Sequence, residues 1–268
     1  MSNKAKIRED AMSLNPMDDA LFQKMAENED FCQEILQVIL NNKQLIVLNT
    51  NSQFATKNLQ GRSCMLDAKC QLEDGRIVNI EVQRADDDDH QRRVRYNGAL
   101  LTTNLTNPST KFAEIPDVIV VFISKFDVFK SSRPLYHIDR IIRETGKAVD
   151  NGFEEVYVNA EIDDDSDVAR LMNVFNTDTA YDDENFPVTS AYKRRYKTTE
   201  EGVREMCEVI ERNRAEGRAE GRAIGLIEGK AELITNMLKN QMKPEQIGKI
   251  ANMTVEQIIS IGKKAAVL

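Results

Sequence analysis

The 268-residue sequence contains no tryptophan, two histidines and four cysteines. With only His90 and His137, neither beside a serine or cysteine in a triad-like motif, any chemistry has to rest on carboxylates, lysines or a metal. Cys32, Cys64, Cys70 and Cys207 lack CxxC spacing and the density of a secreted scaffold, which argues against a zinc site and a disulfide framework. Aromatic residues make up 6% of the chain, too few to suggest a platform for stacking bases or sugars. No stretch approaches the roughly 18 to 20 apolar residues of a spanning helix. The opening MSNKAKIREDAMSLNPMDDA lacks a signal peptide's apolar segment, so a cytoplasmic protein without membrane contact is expected. Neither a P-loop nor GxGxxG occurs, and an ATP- or NAD-dependent reading has no footing.

Charge is abundant and unevenly placed. The chain carries 36 basic and 44 acidic residues, net −8. From Tyr192 onward, 15 basic and 11 acidic residues give +4, leaving 21 and 33 in the first 191 residues, or −12. An acidic body and a basic tail are therefore expected to be different units. The most acidic stretch, 161–184, includes Asp163-Asp164-Asp165 and Asp182-Asp183-Glu184 and reads as a solvated linker. Asp86 to Asp89 beside His90 reads as a solvated loop, because four consecutive acids cannot all face one site.

Hydrophobic periodicity predicts helices within 17–42, where Phe31, Ile35, Val38 and Ile39 share a face behind Asp30 as N-cap. LIVLN (45–49) reads as a first strand followed by a polar stretch to Arg62. Residues 88–105 read as a helix. IPDVIVVFIS (115–124) is a continuous apolar run of the kind a strand covered on both faces shows. PLYHIDRII and FEEVYVNA suggest further strands. The resulting α-β-β-β-α-β order predicts a mixed α/β domain over 15–160, an acidic linker with short helices over 161–197, and a helical tail over 198–268. That tail has a long helix from Thr198 or Thr199, a break at Lys243-Pro244, a helix over 245–252, Thr254 as N-cap and a last helix over 255–265.

The segment 65–83 carries the candidate chemistry. Leu66, Ala68, Cys70 and Leu72 alternate with Asp67, Lys69, Gln71 and Glu73; Val78, Ile80 and Val82 alternate with Asn79, Glu81 and Gln83. A two-residue Asp74-Gly75 turn would mix the two faces, whereas a three-residue Glu73-Asp74-Gly75 loop pairs 70 with 78, 68 with 80 and 67 with 81. Asp67 and Glu81 then become cross-strand neighbours, where like charges destabilise. A shared proton, a nearby lysine or a divalent cation would each offset the repulsion; convergent hard oxygens suit Mg²⁺, Mn²⁺ or Ca²⁺. Lys69 and Gln83 flank the pair on the same face. The alternative is a solvent-exposed face whose charges need no partner.

The run LDAKCQLEDGRIVNIEVQ, preceded by DALFQK and followed by HQRRVRYNGALL and IPDVIVVFIS, resembles the PD-(D/E)XK nuclease family transposases, also called the Rpn or recombination-promoting nuclease family. The resemblance covers about residues 15–160, and the EGRAEGR repeat of the tail is similar to members of that family. It implies a PD-(D/E)XK restriction-endonuclease-like α/β core with a mixed sheet, followed by an α-helical extension. It implies a metal-dependent DNA endonuclease associated with recombination or mobile elements, with Mg²⁺ as the first cation to expect and Mn²⁺ or Ca²⁺ as substitutes. Asp67 and Glu81 become the metal-binding carboxylates, with the Val82 carbonyl as a further ligand. Gln83 stands where the superfamily usually places lysine, and Lys69 could restore that charge from the neighbouring strand. Asp19, in DALF, matches the N-terminal motif. Arg93 and Tyr96 match the helix after the hairpin, in phosphate-contacting or packing roles. The alternative is a non-catalytic DNA-binding or oligomeric protein retaining the fold, which the glutamine favours; RNA stays open as a substrate.

Within the tail, AEGR-AEGR-AIGL-IEGK places glycine at 217, 221, 225 and 229. Each helical glycine costs about 1 kcal/mol against alanine. A close partner helix would offset that cost, so a homo-oligomer through this helix is one reading and a frayed low-complexity expansion is the other. The basic residues of the last segment are too scattered to define a recognition helix.

Overall fold

The computed structural model describes residues 3–58 and 62–266. The chain divides into two compact units, one ending at Ile210 and one beginning at Glu211.

The first unit is built on a six-stranded sheet of mixed direction. Helices α1 (Asn3–Ser13), α2 (Asp19–Met25) and α3 (Glu29–Ile39) precede strands β1 (Val47–Thr56), β2 (Cys64–Leu72) and β3 (Ile77–Gln83). Helix α4 (His90–Leu105) crosses to β4 (Val118–Ser124); β5 (Leu135–Ile138), a small hairpin of β6 (Arg140–Ile141) and β7 (Ala148–Val149), and β8 (Phe153–Asn159) follow. The sheet order is β1-β2-β3-β4-β8-β5. β1, β2 and β3 are antiparallel, β4 and β8 run parallel to β3, and β5 is antiparallel to β8. A parallel neighbour needs a crossover, which is the work of α4 between β3 and β4. Every residue of β4 is buried, as its unbroken apolar run requires.

Helices cover both faces. On one face Val94 and Leu101 of α4 pack against Val118, Val120 and Phe122. Gly98 allows this close approach, since a Cβ there would lie 2.2 Å from the Phe153 ring. On the other face α2 and α3 meet α5 (Asp167–Asn176) and α6 (Pro187–Thr198), with the rings of Phe22, Phe31 and Phe175 5.9 to 6.4 Å apart.

Several expectations change here. The cap of α3 is Asn28, and Asp30 lies in the first turn. β1 starts at Val47 and continues through residues expected to be a polar connection, because it pairs along the whole of β2. The compact unit runs past 160 to Ile210, and its core takes in much of the segment 161–197. The acidic residues of that segment line the turns beside α5, where Asp164 accepts from Ser166 N at 2.9 Å and Asp182 from Asn185 N at 2.9 Å, while Val168, Leu171, Met172 and Phe175 are buried core. Nor does the basic tail start at Tyr192. Lys193 is fully buried, its Nζ donating to the Val174, Thr177 and Ala180 carbonyls at 2.9, 2.6 and 2.9 Å, where the C-terminal end of α5 attracts a cation.

Helix α7 (Glu200–Lys239) begins behind Thr199, whose Oγ1 accepts from Gly202 N at 3.1 Å. The second unit continues with α8 (Pro244–Ala251) and α9 (Val255–Lys264), the latter capped by Thr254 as expected. Its core is Ile234, Leu238, Ile247 and Ile258. The four repeat glycines lie in α7 with open space where a Cβ would stand. Among the described residues, no helix is long and apolar enough to cross a membrane.

Candidate active site at the open end of the hairpin

The β2–β3 connection is the three-residue loop that the alternation calls for. Gly75 adopts φ +90°, Gly75 N donates to the Leu72 carbonyl at 3.1 Å, and Leu72 N donates to Arg76 O at 2.9 Å. The ladder then pairs Gln71 with Ile77, Cys70 with Val78, Lys69 with Asn79 and Ala68 with Ile80.

There the ladder stops, one step short of Asp67 and Glu81. Asp67 Oδ2 takes the place of a backbone acceptor and receives the Val82 N–H at 3.0 Å. Its Oδ1 accepts from Gln23 Nε2 of α2 at 3.2 Å, and Gln23 Oε1 in turn accepts from Gln53 Nε2 at 2.7 Å. Gln53, opposite on β1, has φ +52°, and both strands roll over at this point. Ala68 and Cys70 pack toward α2 and α3, but Leu66, expected on their face, packs with Val94 and Leu101 on the α4 side.

Glu81 is 1% exposed and Asp67 9%. The Glu81 carboxyl is bonded by Asn79 Nδ2 at 3.0 Å and by Arg93 Nη2 at 3.2 Å. Both carboxyls are held well above the usual carboxylate range. For Asp67 the first cause is desolvation, opposed by the Val82 amide and reinforced by the charge of Asp19. For Glu81 it is desolvation, then the charge of Asp67, opposed by Asn79 and Arg93. Two buried acids, one raised further by Asp19 and the other by Asp67, have less positive charge around them than they need.

The positive charge that meets Glu81 comes from α4. Asp89 caps that helix by accepting from Arg92 N at 3.1 Å. One turn in, Arg93 reaches Glu81 with one nitrogen and Gln83 Oε1 with the other, at 2.6 Å. The far end of Gln83 is committed to the Ala85 carbonyl at 2.9 Å. Asp19, at the exposed start of α2, adds a third acid; desolvation raises its carboxyl, with Arg93 and Arg84 working the other way. Arg84 also pairs with Asp18, tying the end of β3 to the start of α2.

Two expected residues stand apart. Lys69 Nζ lies over the Phe54 ring, 4.4 Å from its centre, and desolvation alone lowers its pKa with no carboxylate opposing. It therefore neutralises neither acid in this arrangement. Tyr96 braces the start of β2, its hydroxyl donating to the Arg62 carbonyl and accepting from Asn58 Nδ2 at 3.1 Å. His90 is buried against Phe122 and Phe126, with Nε2 3.1 Å from Asp86 Oδ1. Gln23 was not legible as a site residue; only its place four residues after Asp19, on the next turn of α2, hinted at it.

The donor set suits a small divalent cation. Two desolvated carboxyls, of which Glu81 is partly offset by Arg93, fit a divalent cation of the kind that binds through one or two carboxylates and keeps water and phosphate as its other ligands. Among the described residues, no group of three or more His, Cys, Asp or Glu is arranged to enclose an ion, so an all-protein cage is not what this site offers.

A mixed sheet flanked by helices, with paired acids where its central hairpin opens, defines the class of α/β folds that assemble acidic sites on adjacent strands. Residues 16–167, more than half of the chain, match the model of the PD-(D/E)XK nuclease family transposase family. The protein belongs to that family. No curated protein and no solved structure compared with the chain matches it.

Proposed function

We propose that the protein is a divalent-metal-dependent endodeoxyribonuclease that hydrolyses phosphodiester bonds in recombination or in the movement of mobile elements. The observation that carries this reading is the buried Asp67–Glu81 pair, both acids raised by desolvation and placed beside an arginine at the open end of a hairpin. Structural acids are seldom buried together unless something cationic joins them.

Asp67 and Glu81 would hold the cation, with the Val82 carbonyl as a further oxygen donor and Mg²⁺ as the first candidate. A cation held there would supply Lewis acidity at the scissile phosphate and lower the pKa of the attacking water. The chain's own residues do the rest. The Val82 amide and Gln23 fix the rotamer of Asp67, and Asn79 fixes that of Glu81. Arg93 takes the part that lysine plays elsewhere in the superfamily: a guanidinium held by Gln83 can turn to the phosphate and stabilise charge that develops there. Gln83 is then a positioning residue for Arg93.

A second reading, a non-catalytic DNA-binding protein that retains the fold, is favoured by the same contact, because Arg93 already neutralises part of Glu81. Supercoiled plasmid incubated with Mg²⁺, Mn²⁺ or Ca²⁺ separates the two. Nicking that disappears in Asp67→Ala and Glu81→Ala supports the nuclease, and no nicking under any metal supports the second reading. Nicking that persists in both variants places the activity elsewhere.

A further inference from the structure

Beside the acids, α4 turns an exposed stripe to solvent, and two clefts open along it. One, of about 740 Å³, is lined by Arg62, Arg92, Arg93 and Arg95, with Asp88 and Asp89 as its acids. The other, of about 670 Å³, is lined by Phe112, Arg140 and Phe153, with Asp117 as its acid. Arg95 lines both clefts. Arg92 is paired with Asp89, and Arg140 donates to the Phe153 carbonyl at 2.8 Å; among the described residues, neither Arg62 nor Arg95 has an ion-pair partner.

Phe112, at the far end, is 93% exposed. It sits in the short helical turn Phe112–Glu114, and none of its neighbours covers the ring. Such exposure of a large aromatic side chain is unusual on a chain with so few of them, and its position at the end of an arginine-lined groove gives it a use.

We infer that the groove from Arg93 past Arg95 to Phe112 binds a single-stranded segment of DNA flanking the scissile bond. Arg62 and Arg95 contact phosphates, and an unpaired base stacks on Phe112. Duplex DNA offers phosphates to the same arginines, but its bases are stacked on one another and give the ring nothing to cover. Stacking on an aromatic ring is open to any base, so the preference is for strandedness and not for sequence. The inference rests on the nuclease reading for the identity of the ligand, and extends it to a substrate carrying an unpaired flank.

Fluorescence anisotropy of the full chain in EDTA tests it, with a single-stranded oligonucleotide and its duplex as probes. Phe112→Ala should weaken single-strand binding about tenfold and leave duplex binding unchanged, while Phe112→Tyr retains it. Arg95→Ala should reduce the slope of log K against log salt by about 0.7 on the single strand, the value for one lost phosphate contact. Equal effects of Phe112→Ala on both probes, or none on either, overturn the proposal. If carboxylate-dependent nicking is present while Phe112→Ala changes neither probe, the groove proposal falls alone. If the strand-selective loss is seen without nicking under any metal, the nuclease reading falls and the groove stands.

Discussion

Replacing Glu81 by glutamine should make the metal-free protein more stable at alkaline pH. A carboxyl whose pKa is raised on folding takes up protons as the chain folds. Its favourable contribution is therefore present below the unfolded-state value and lost as pH rises through the folded-state value. The Glu81 carboxyl is raised from an ordinary 4.5, so the native state loses stability upward from there. Fully buried groups shift by up to about 3 to 5 units, each worth about 1.4 kcal/mol, which bounds the cost of the charge near about 4 to 7 kcal/mol. Glutamine keeps an acceptor for Asn79 and can donate to the buried Asn79 Oδ1, which has no partner, but it weakens the charge-assisted bond from Arg93 by about 1 kcal/mol or more. A net gain of about 3 kcal/mol or more at about pH 8 is expected, or roughly 6 to 12 °C in Tm for a unit of this size. Thermal unfolding in EDTA at about pH 5 and about pH 8 measures it. A fall in Tm at the higher pH, or the same shift at both, would refute the reasoning, since either outcome means that the Glu81 charge is not a burden on the fold.

Three further outcomes follow from the geometry. Arg93→Ala should lower the nicking rate by about 10²- to 10³-fold, the usual cost of removing one charge-stabilising donor, whereas Lys69→Ala, remote over Phe54, should lower it by less than about threefold; a steady-state plasmid assay distinguishes them. Lys193→Met strands three carbonyls at the end of α5 and should cost at least about 3 kcal/mol by urea unfolding, while an equivalent change at the exposed Arg218 should cost under about 0.5 kcal/mol. If α7 self-associates along its glycines, Gly221→Leu should shift the full chain toward monomer in sedimentation velocity; a rise in Tm of the same monomer, with no change in mass, would mean that those glycines face water.

The hairpin was legible because period-two alternation leaves one register with consistent faces, and the Gly75 loop follows from it. What alternation could not show is that the ladder ends at Ala68, so that Asp67 meets the Val82 amide instead of facing Glu81 across a regular pair. Strand parity also could not show which cation meets the acids. Lys69 is close to Asp67 in sequence and on a strand of the right parity, but its Nζ lies over Phe54, while Arg93 reaches Glu81 from α4. Charge counting reads composition, not burial, so it could not show that the core continues past 160. The acids of 161–184 lie in turns beside an amphipathic helix, and Lys193, counted as tail, is core. Helix ends in the tail were well marked, because Thr199, Pro244 and Thr254 carry their own capping chemistry.

On the proposed function, the same buried charge that weakens the fold does the chemistry. Single-turnover nicking of supercoiled plasmid in Mg²⁺ by Glu81→Gln, compared with the unmodified chain at about pH 8, tests this directly. The variant should fold at least as stably as the original and nick about 10³-fold more slowly or worse. A Glu81→Gln variant that nicks at the original rate would contradict it.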